Sequence, residues 1–241
     1  MFRYQPGHKP ILVANELDIP AGTVISVTGP SGSGKSTLVA CLGLLRSIQA
    51  PEGTLVFHST DGPQDYGTLP LSRAEALRRS RFGFALQNSY LLPHLSVLDN
   101  LTIPLALKGL AEKDRRAMGT EMLACMPDLL DRQDAPVSQI SGGQKQRVAV
   151  LRALIHGPDV VFADEPFSSL DQHNENLMLE SLLNWQRGEI GRSEGSEQPT
   201  RTLFLVTHNS KVAATAGQFR LSIQNGELNL TRNTNAVESM Q

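Results

Sequence analysis

The fold of this chain is decided by a stretch near its start, Gly29-Pro30-Ser31-Gly32-Ser33-Gly34-Lys35-Ser36-Thr37. Its glycines, lysine and hydroxyl residue match the pattern G-x-x-x-x-G-K-[ST]. Glycine lets the backbone curl so that several N–H groups point at one anion, and a helix that begins near Lys35 adds its positive end. We therefore interpret residues 29–37, which we call the phosphate loop, as a site for nucleotide phosphates.

Two side chains of the phosphate loop and the flanking segments support this interpretation. Lys35 can bring its ammonium group to the β- and γ-phosphates, and the Ser36 hydroxyl can bind Mg²⁺. The preceding stretch Thr23–Val27 predicts a short buried strand. The alternative, a Gly- and Ser-rich turn without a ligand, is weaker because the full pattern lies between a strand and a helix. Apolar residues recur at helical spacing after the loop, at Leu38, Cys41, Leu42 and Leu45.

The composition is that of an ordinary globular protein. The chain has 241 residues, a net charge of −2 and 40% hydrophobic residues, which suits one large α/β domain or one core with a small subdomain. No run approaches the roughly 20 apolar residues of a membrane span, and the first residues lack the apolar centre of a signal peptide. Cys41 and Cys125 are too few for a disulfide framework, so we expect a reducing cytoplasm. The charge balance gives no support for a nucleic-acid partner.

Local patterns predict the arrangement of the N-terminal part. Ser72 and Glu75 form the pattern of a capping box for a helix that runs to Arg79. Short strands before the phosphate loop suggest a small antiparallel sheet laid against the core. The predicted strands are Phe2–Tyr4, Ile11–Val13, Leu17–Ile19, Glu52–Phe57 and Phe82–Leu86, with a turn-rich stretch at 59–67.

The rest of the chain alternates helices and strands after a helical insertion. Residues 88–140 carry mainly helical patterns, so we interpret them as a helical subdomain inserted in a single domain that spans residues 1–241. A long helix after Ser141 ends at His156-Gly157-Pro158. The remaining predictions are a strand at Asp159–Asp164, a helix at Leu177–Trp185, a mobile polar loop at 187–200, a strand at Thr202–Val206, a hairpin turned at Asn225-Gly226, and a disordered tail at 231–241.

Four polar side chains that follow predicted strands are candidates for chemistry. Asp164 and Glu165 end a buried strand, at the edge where α/β folds bind their ligands. Asp164 is suited to hold Mg²⁺ through water, and Glu165 to orient or deprotonate an attacking water. Gln87 could contact both metal and water, and His208 could donate a hydrogen bond to a γ-phosphate. Taken singly, each has a plainer alternative: a solvated strand end, a solvated loop glutamine or a structural histidine.

A second anion site is indicated by Ser141-Gly142-Gly143-Gln144. Ser141 is a good N-cap, and the two glycines leave the N-terminus of the following helix bare. One nucleotide cannot easily use this element and the phosphate loop of the same subunit if a helical subdomain separates them. A symmetric pair of chains would solve the geometry, with this element of one chain covering the phosphate loop of the other. Without that context, the pattern favours a capped helix that binds no ligand.

Together, these residues closely resemble the ATP-binding-cassette ATPase family. The resemblance covers nearly the whole chain, from about Tyr4 to Leu230, and its six motifs follow one another in the family's order. Gly29–Thr37 resembles the Walker A loop, Gln87 the Q-loop, Ser141–Gln144 the signature motif (with Ile140 where leucine is usual), Val160–Asp164 Walker B, Ser169–Asp171 the D-loop, and His208 the switch histidine.

The resemblance implies an α/β fold of the P-loop NTPase class, with a RecA-like core, a small antiparallel β subdomain and an inserted α-helical subdomain. It implies ATP and Mg²⁺ as the bound groups, catalytic roles for Glu165, His208 and Gln87, and metal binding by Ser36, Gln87 and Asp164. Tyr4 falls where the family's adenine-stacking aromatic lies; its alternative is a half-buried strand tyrosine. The implied nucleotide-binding residues are Tyr4, Gly29, Pro30, Ser31, Gly32, Ser33, Gly34, Lys35, Ser36, Thr37, Ser141, Gly142, Gly143, Gln144 and Asp171.

The resemblance also implies partners. Members of the family form a head-to-tail dimer around two ATP molecules, which ATP closes and hydrolysis reopens. That cycle drives separate integral-membrane permease subunits, whose coupling helices dock near Gln87 and the helical subdomain. We therefore expect a homodimer in the cytoplasm, peripheral on the inner face of the cell membrane through its permease, with no nucleic-acid partner.

Two features point to different transporters within the family. Phe82–Asn100, Ile103–Gly109 and Ala163 resemble the lipoprotein-releasing, macrolide-exporting and cell-division group. Pro166–Asp171 departs from that group, which more often has Thr-Gly-Asn between the proline and the leucine, and resembles importers of small solutes. The sequence favours export of a lipoprotein, lipid or drug and leaves a small-solute importer open. A non-transporting module, whose ATP-driven dimer pulls on a membrane partner, also stays open.

Overall fold

The computed structural model describes residues 11–14, 16–46, 54–59, 61–190 and 200–233. The chain divides into two compact units: the first unit comprises Met1–Arg78 and Phe204–Gln241, and the second unit comprises Arg79–Leu203. In chain order the elements are β1 (Val24–Thr28), α1 (Lys35–Leu42), β2 (Val56–Ser59), β3 (Gly62–Asp65), α2 (Leu71–Ser80), β4 (Phe82–Ala85), α3 (Val97–Leu107), α4 (Glu112–Leu123), α5 (Pro127–Leu130), a one-turn 3₁₀ helix (Val137–Gln139), α6 (Gly142–Leu154), β5 (Val160–Asp164), α7 (Gln172–Gln186), β6 (Thr202–Val206), α8 (Ser210–Ala216), β7 (Phe219–Gln224) and β8 (Glu227–Arg232).

The sheet of the first unit is built on β1, which is buried along most of its length. β1 pairs in parallel with β7, and Val27 lies opposite Leu221. β7 then pairs antiparallel with β8 through a tight turn at Asn225 and Gly226. Both turn residues have positive φ angles, 50° and 84°, which asparagine and glycine tolerate best, so the predicted hairpin is confirmed.

The strands predicted before the phosphate loop are present only in part. Val13 forms a parallel bridge with Glu227, so the segment predicted at Ile11–Val13 pairs with the edge of the sheet. The strand predicted at Leu17–Ile19 is wrong, because these residues join no ladder in the structure. The strand predicted at Phe2–Tyr4 lies outside the described residues.

The end of the first unit is folded further along the chain than predicted. β8 runs to Arg232, and the Asn233 side chain donates to the carbonyls of Ala214 and Gly217 at 2.8 Å. Residues 231–233 therefore belong to the folded chain, and the rest of the predicted tail lies outside the described residues. Helix α8, which the sequence patterns did not predict, packs on β1.

An antiparallel hairpin of β2 and β3 occupies a stretch where one strand and a turn were predicted. In this hairpin Val56 lies opposite Asp65. Helix α2 starts at Leu71 directly after Pro70, whose carbonyl accepts the first helical N–H groups at 3.0 Å. Ser72 therefore lies inside the helix, and the predicted capping box is wrong.

The second unit packs a parallel strand pair against a buried helix. β4 and β5 run parallel, and every residue of β5 is buried, as expected for a strand covered on both faces. Phe162 contacts Phe82 edge-to-face and Phe84 in a stacked arrangement, with ring centroids 5.6 Å apart in both pairs. Gly83 lets β4 approach α6 closely, because a Cβ at Gly83 would lie 2.1 Å from the Ala153 carbonyl oxygen.

The helices predicted between residues 88 and 140 are present as α3, α4 and α5. α3 packs on both α4 and α6, and α4 contacts α5. Ser96 is the N-cap of α3, and its Oγ accepts a hydrogen bond from the Asp99 N–H at 3.0 Å. Within the described ranges, none of the helices combines the length and the apolar composition that a bilayer crossing needs.

His156 lies buried just beyond the C-terminal end of α6. Its ring Nε2 is 3.0 Å from the Phe82 carbonyl oxygen, and the Lys108 ammonium donates to the His156 carbonyl at 2.6 Å. Burial, reinforced by the positive charge of Lys108, lowers the pKa of His156 from 6.5 to about 4. The ring is therefore neutral at neutral pH, and its Nε2–H donates to the Phe82 carbonyl, which can only accept.

We expect protonation at His156 to destabilise the fold as the pH falls from 6.5 to about 4. In this window the unfolded chain binds a proton at His156 and the folded chain does not, so stability is present above the window and lost within it. His156→Gln keeps a side-chain donor but has no titrating ring. Between pH 8 and pH 4 its free energy of unfolding, from urea titrations, should fall by about 3 kcal/mol less than that of the wild type. If the free energy of unfolding had the same pH dependence in His156→Gln as in the wild type, the lowered pKa of His156 would be contradicted.

Candidate functional site

The phosphate loop reaches α1 through a glycine in a left-handed backbone conformation, which residues with a Cβ rarely adopt. Gly34 is the N-cap of α1, with a φ of 103°. A Cβ at Gly34 would also lie 3.0 Å from Leu12 Cδ2. Gly29 is packed as tightly, because a Cβ there would lie 2.7 Å from Ser33 Oγ and 2.9 Å from the Ile223 carbonyl oxygen. The loop therefore requires both glycines, and the first N–H groups of α1, which have no partner inside the helix, suit an anion.

Two side chains inside the phosphate loop have hydrogen-bonding capacity for a ligand. The Lys35 side chain is buried, and its ammonium donates to the carbonyls of Gly29 and Pro30 at 2.9 and 3.0 Å. An ammonium has three donors, so one is left for a phosphate oxygen. Ser33 Oγ is buried and has no hydrogen-bond partner within the described part of the chain. A phosphate oxygen held in the loop would satisfy it.

The other predicted residues of the first unit lie at the surface or outside the described ranges, except Thr37, which is half-buried on α1. Residues 30–32 and Ser36 are exposed along the phosphate loop. His208 is exposed two residues after β6, directly before Asn209, which is the N-cap of α8. Tyr4 lies outside the described residues, so its stacking role stays a prediction.

In the second unit, Ser141 begins α6 with a complete capping box. Its Oγ accepts from the Gln144 N–H at 3.2 Å, and Gln144 Oε1 accepts from the Ser141 N–H at 3.0 Å. The N-cap predicted at Ser141 is therefore confirmed. No described atom lies within 4 Å of a Cβ built on Gly142, so the amide end of α6 is open on that side. Such an end suits a second anion.

A carboxylate on α5 braces the first turns of α6. Asp128 accepts hydrogen bonds from Arg147 Nη1 at 2.9 Å and from Gln144 Nε2 at 3.0 Å. The Arg147 side chain is only 10% exposed, so it needs this partner. The hydrogen bond from Arg147 holds the pKa of Asp128 below its ordinary value of 3.8. Sequence reasoning singled out neither Asp128 nor Arg147.

The two candidate carboxylates leave β5 with different backbone conformations. Asp164 is the last residue of β5 and is 7% exposed. Glu165 has a φ of 49°, in the left-handed region that a residue with a Cβ seldom adopts. The Ser168 N–H donates to the Glu165 carbonyl at 3.3 Å and closes the turn that holds this conformation. Strain of this kind is frequent at functional sites, which makes Glu165 a candidate functional residue on structural grounds as well.

Asp171 is the N-cap of α7. Its two carboxylate oxygens accept from the backbone N–H and from the side-chain Nδ2 of Asn174, both at 2.8 Å. The bond from the Asn174 N–H, followed by that from its side chain, keeps the pKa of Asp171 below the ordinary value. The carboxylate therefore has a structural role in this chain, and its predicted contact with a nucleotide stays a prediction.

Gln87 is exposed and precedes a loop that a buried amide holds in place. Asn100 on α3 is fully buried. Its Oδ1 accepts from the Leu92 N–H at 2.7 Å, and its Nδ2 donates to the carbonyls of Leu92 and Ser96, both at 3.0 Å. One side chain therefore holds the second half of the loop, from Leu92 to Ser96.

The same loop is tied to α6 by Arg152. Its guanidinium donates to the carbonyls of Ser89 at 2.6 Å and Tyr90 at 3.0 Å. Sequence reasoning did not single out Asn100 or Arg152. Their place inside apolar helical stretches was a usable signal, because a polar side chain on a buried face must find partners.

Comparison with known proteins identifies the family that shares these features. A family model described as ABC transporter matches residues 13–168, more than half of the chain. The macrolide export ATP-binding/permease protein MacB of Shigella flexneri is 38% identical over 230 residues, which cover 95% of this chain and 32% of that protein. MacB of Escherichia coli K12 is 37% identical, with the same coverage of 95% and 32%. The chain thus spans about a third of the length of these curated relatives.

Solved structures agree with this result. A dimeric structure of a post-hydrolysis state of the ATP-binding cassette MJ0796, bound to ADP and Pi, matches with a TM-score of 0.80 and 28% identity, covering 95% of this chain and 94% of that chain. A dimeric structure of MJ0796, described as a bacterial ABC transporter cassette, matches with a TM-score of 0.76 and 29% identity, covering 90% and 88%. The chain therefore belongs to the ABC transporter family and is an ATP-binding cassette of the ABC ATPase class, as predicted.

We expect Asn100→Ala to lower the free energy of unfolding by about 2–3 kcal/mol, because the backbone groups of Leu92 and Ser96 lose their fully buried amide partner. Asn176→Ala is the matched control. Asn176 is exposed on α7, so its replacement should change stability by no more than about 0.5 kcal/mol. Urea unfolding followed by circular dichroism measures both variants, and equal effects would contradict the role given to Asn100.

Proposed function

We propose that this chain binds and hydrolyses Mg-ATP between two copies arranged head to tail, and thereby drives the permease of an exporter. The observation that carries the proposal is the phosphate loop. It combines a left-handed Gly34, an ammonium from Lys35 turned onto the loop, and a buried Ser33 hydroxyl that a phosphate oxygen would satisfy. Together they suit a polyphosphate, and membership of the ABC transporter family supports ATP as that ligand.

The residues assigned to Mg²⁺ match its chemistry. Ser36 offers a hydroxyl, Gln87 an amide oxygen and Asp164 a carboxylate, and Mg²⁺ prefers hard oxygen ligands of these kinds. Ser36 is exposed at the start of α1, and Asp164 ends the buried strand β5. When bound, Mg²⁺ would neutralise charge on the β- and γ-phosphates.

Hydrolysis is assigned to three side chains. Glu165 orients the attacking water and accepts its proton as the water oxygen bonds to the γ-phosphorus. The bond from that phosphorus to the oxygen shared with the β-phosphate breaks, and ADP leaves with the electron pair. His208 and Gln87 donate hydrogen bonds to the γ-phosphate and the water, which stabilises the charge that develops. The strained backbone of Glu165 supports a role that needs a fixed carboxylate.

The second copy supplies the remaining phosphate contacts. In each chain the capped, glycine-bordered start of α6 at Ser141 is open to an anion. We assign it, with Asp171, to the nucleotide held by the phosphate loop of the other chain. Both solved cassettes to which this chain is similar are described as dimeric, which supports this arrangement. Binding of ATP would close the pair, and hydrolysis would let it open.

Export is the transport type that the comparisons favour. The MacB relatives are named macrolide export ATP-binding/permease proteins, and this chain is 38% identical to one of them over 95% of its length. The permease partner would hold the cassette at the inner face of the cell membrane. The cargo class is then a drug, lipid or lipoprotein rather than the small solute of an importer.

We expect Glu165→Gln to reduce ATP turnover by at least about 100-fold, because the base that accepts the proton is lost. ATP binding should persist, so the variant should form a stable dimer with Mg-ATP in size-exclusion chromatography. Glu180→Gln, on the exposed surface of α7, is the control and should keep wild-type turnover. Full activity in Glu165→Gln would contradict the catalytic role of Glu165. A variant that stays monomeric with Mg-ATP would contradict the proposed ATP-dependent dimer.

Transport itself needs a membrane assay. We expect the cassette, reconstituted with its permease in vesicles, to move cargo only when ATP is present. Vesicles in which ATP is hydrolysed and no cargo moves would favour the module that pulls on a membrane partner without transport.

A further inference from the structure

Gln146 lies on α6, one helical turn after the first residues of the Ser141-Gly142-Gly143-Gln144 element, and is 4% exposed. Its amide contacts the segment 165–171, which begins with Glu165 and ends with Asp171, the N-cap of α7. We call this segment the catalytic turn, a name that rests on the function proposed above.

Both ends of the Gln146 amide are engaged by the catalytic turn. Oε1 accepts from the Ser169 N–H at 3.0 Å and from the Ser169 hydroxyl at 2.6 Å. Nε2 donates to Ser168 Oγ at 3.0 Å and lies 3.5 Å from the Glu165 carbonyl oxygen. The orientation of the amide is fixed, because the Ser169 N–H can only donate and therefore needs the oxygen. A buried amide satisfied at both ends is a specific and rigid contact.

The backbone of the catalytic turn supports the same geometry. The Leu170 N–H donates to the Phe167 carbonyl at 3.0 Å, so two successive backbone bonds close the turn after Glu165. Gly143 lies beside it as well, because a Cβ on Gly143 would be 3.4 Å from Leu170 Cδ2 and 3.6 Å from the Ser169 carbonyl oxygen. The start of α6 and the catalytic turn are therefore in contact at two points, one through a side chain and one through a glycine.

We propose that Gln146 is a positioning residue, which locks the catalytic turn to α6 and so keeps the strained Glu165 in register with the Ser141 cap. It acts through its hydrogen bonds with Ser168 and Ser169. Without this lock, the left-handed conformation of Glu165 loses part of its support, and its carboxylate departs from the geometry that the attacking water needs. We expect the phosphate loop, to which most of the ATP contacts are assigned above, to bind ATP without the lock.

The decisive experiment is a set of variants of the full chain assayed for ATP hydrolysis. Gln146→Leu removes both polar ends with little change of volume, and we expect kcat to fall by about 10- to 100-fold with a KM for ATP within about twofold of the wild-type value. Gln224→Leu, at an exposed position of β7, is the matched control and should keep wild-type kcat. A merely structural role would instead lower the melting temperature and the fraction of chains that bind ATP, and kcat per ATP-binding chain would stay at the wild-type value.

A double-mutant cycle tests the route through the serines. Ser169→Ala and Ser168→Ala each remove one hydroxyl and leave Gln146 in place, so they stay informative if Gln146→Leu folds poorly. If Gln146 acts through Ser169, the double variant Gln146→Leu/Ser169→Ala should lose no more kcat than Gln146→Leu alone. Losses that simply multiply would overturn the inference, and so would wild-type kcat in both serine variants.

The two proposals fail in different ways. A wild-type chain that hydrolyses no ATP would overturn the proposed function and this inference with it. A wild-type chain that hydrolyses ATP beside a Gln146→Leu variant with unchanged kcat would overturn only the role of Gln146.

Discussion

Polar side chains that are buried must find hydrogen-bond partners, and on α6 this constraint organises the second unit. Two of them, together with the half-buried Arg152, project from one helix, and each of the three reaches a different segment of the candidate site. Gln146 bonds the turn after β5, Arg147 pairs with Asp128 on α5, and Arg152 holds carbonyls of the loop that follows Gln87. If any of these segments moved away from α6, a buried amide or guanidinium would lose its partners. The segments are therefore bound to move with the helix whose N-terminus Ser141 caps.

The first unit solves a different problem, which is how to offer backbone N–H groups to an anion. Gly34 adopts a left-handed conformation, and the loop packs so closely at Gly29 that no side chain fits. The loop carbonyls hold Lys35, which keeps a positive charge at the site. This arrangement uses backbone geometry and one cation, so it suits a phosphate group rather than a base or a sugar. Selection among nucleotides must then come from residues beyond the loop.

The sequence allowed the strands, helices and hairpin near the candidate site to be predicted, because their signals are local. The phosphate loop pattern, the Ser141 cap and the Asn225-Gly226 turn each depend on residue types a few positions apart. The contacts of Gln146 and Asn100 could not be predicted this way, since their partners lie in other elements or in loops without a pattern. The capping box at Ser72 failed because the helix already begins after Pro70, and the strand at Leu17–Ile19 failed because its extended pattern found no partner strand. Local patterns thus identify the candidate binding and catalytic residues, whereas the packing of α6 decides which contacts position them.

The same contacts bear on the type of transport. The stretch Pro166–Asp171 is where the sequence departs from the export group and resembles importers. In the structure, Ser168 and Ser169 of this stretch are exposed residues whose hydroxyls bond the buried Gln146 on α6, so an internal contact favours serine at both positions. A residue type that is favoured by a hydrogen bond within the chain is weak evidence about the permease or the cargo. The resemblance to importers therefore has less weight than the 38% identity to a macrolide exporter over 95% of the chain.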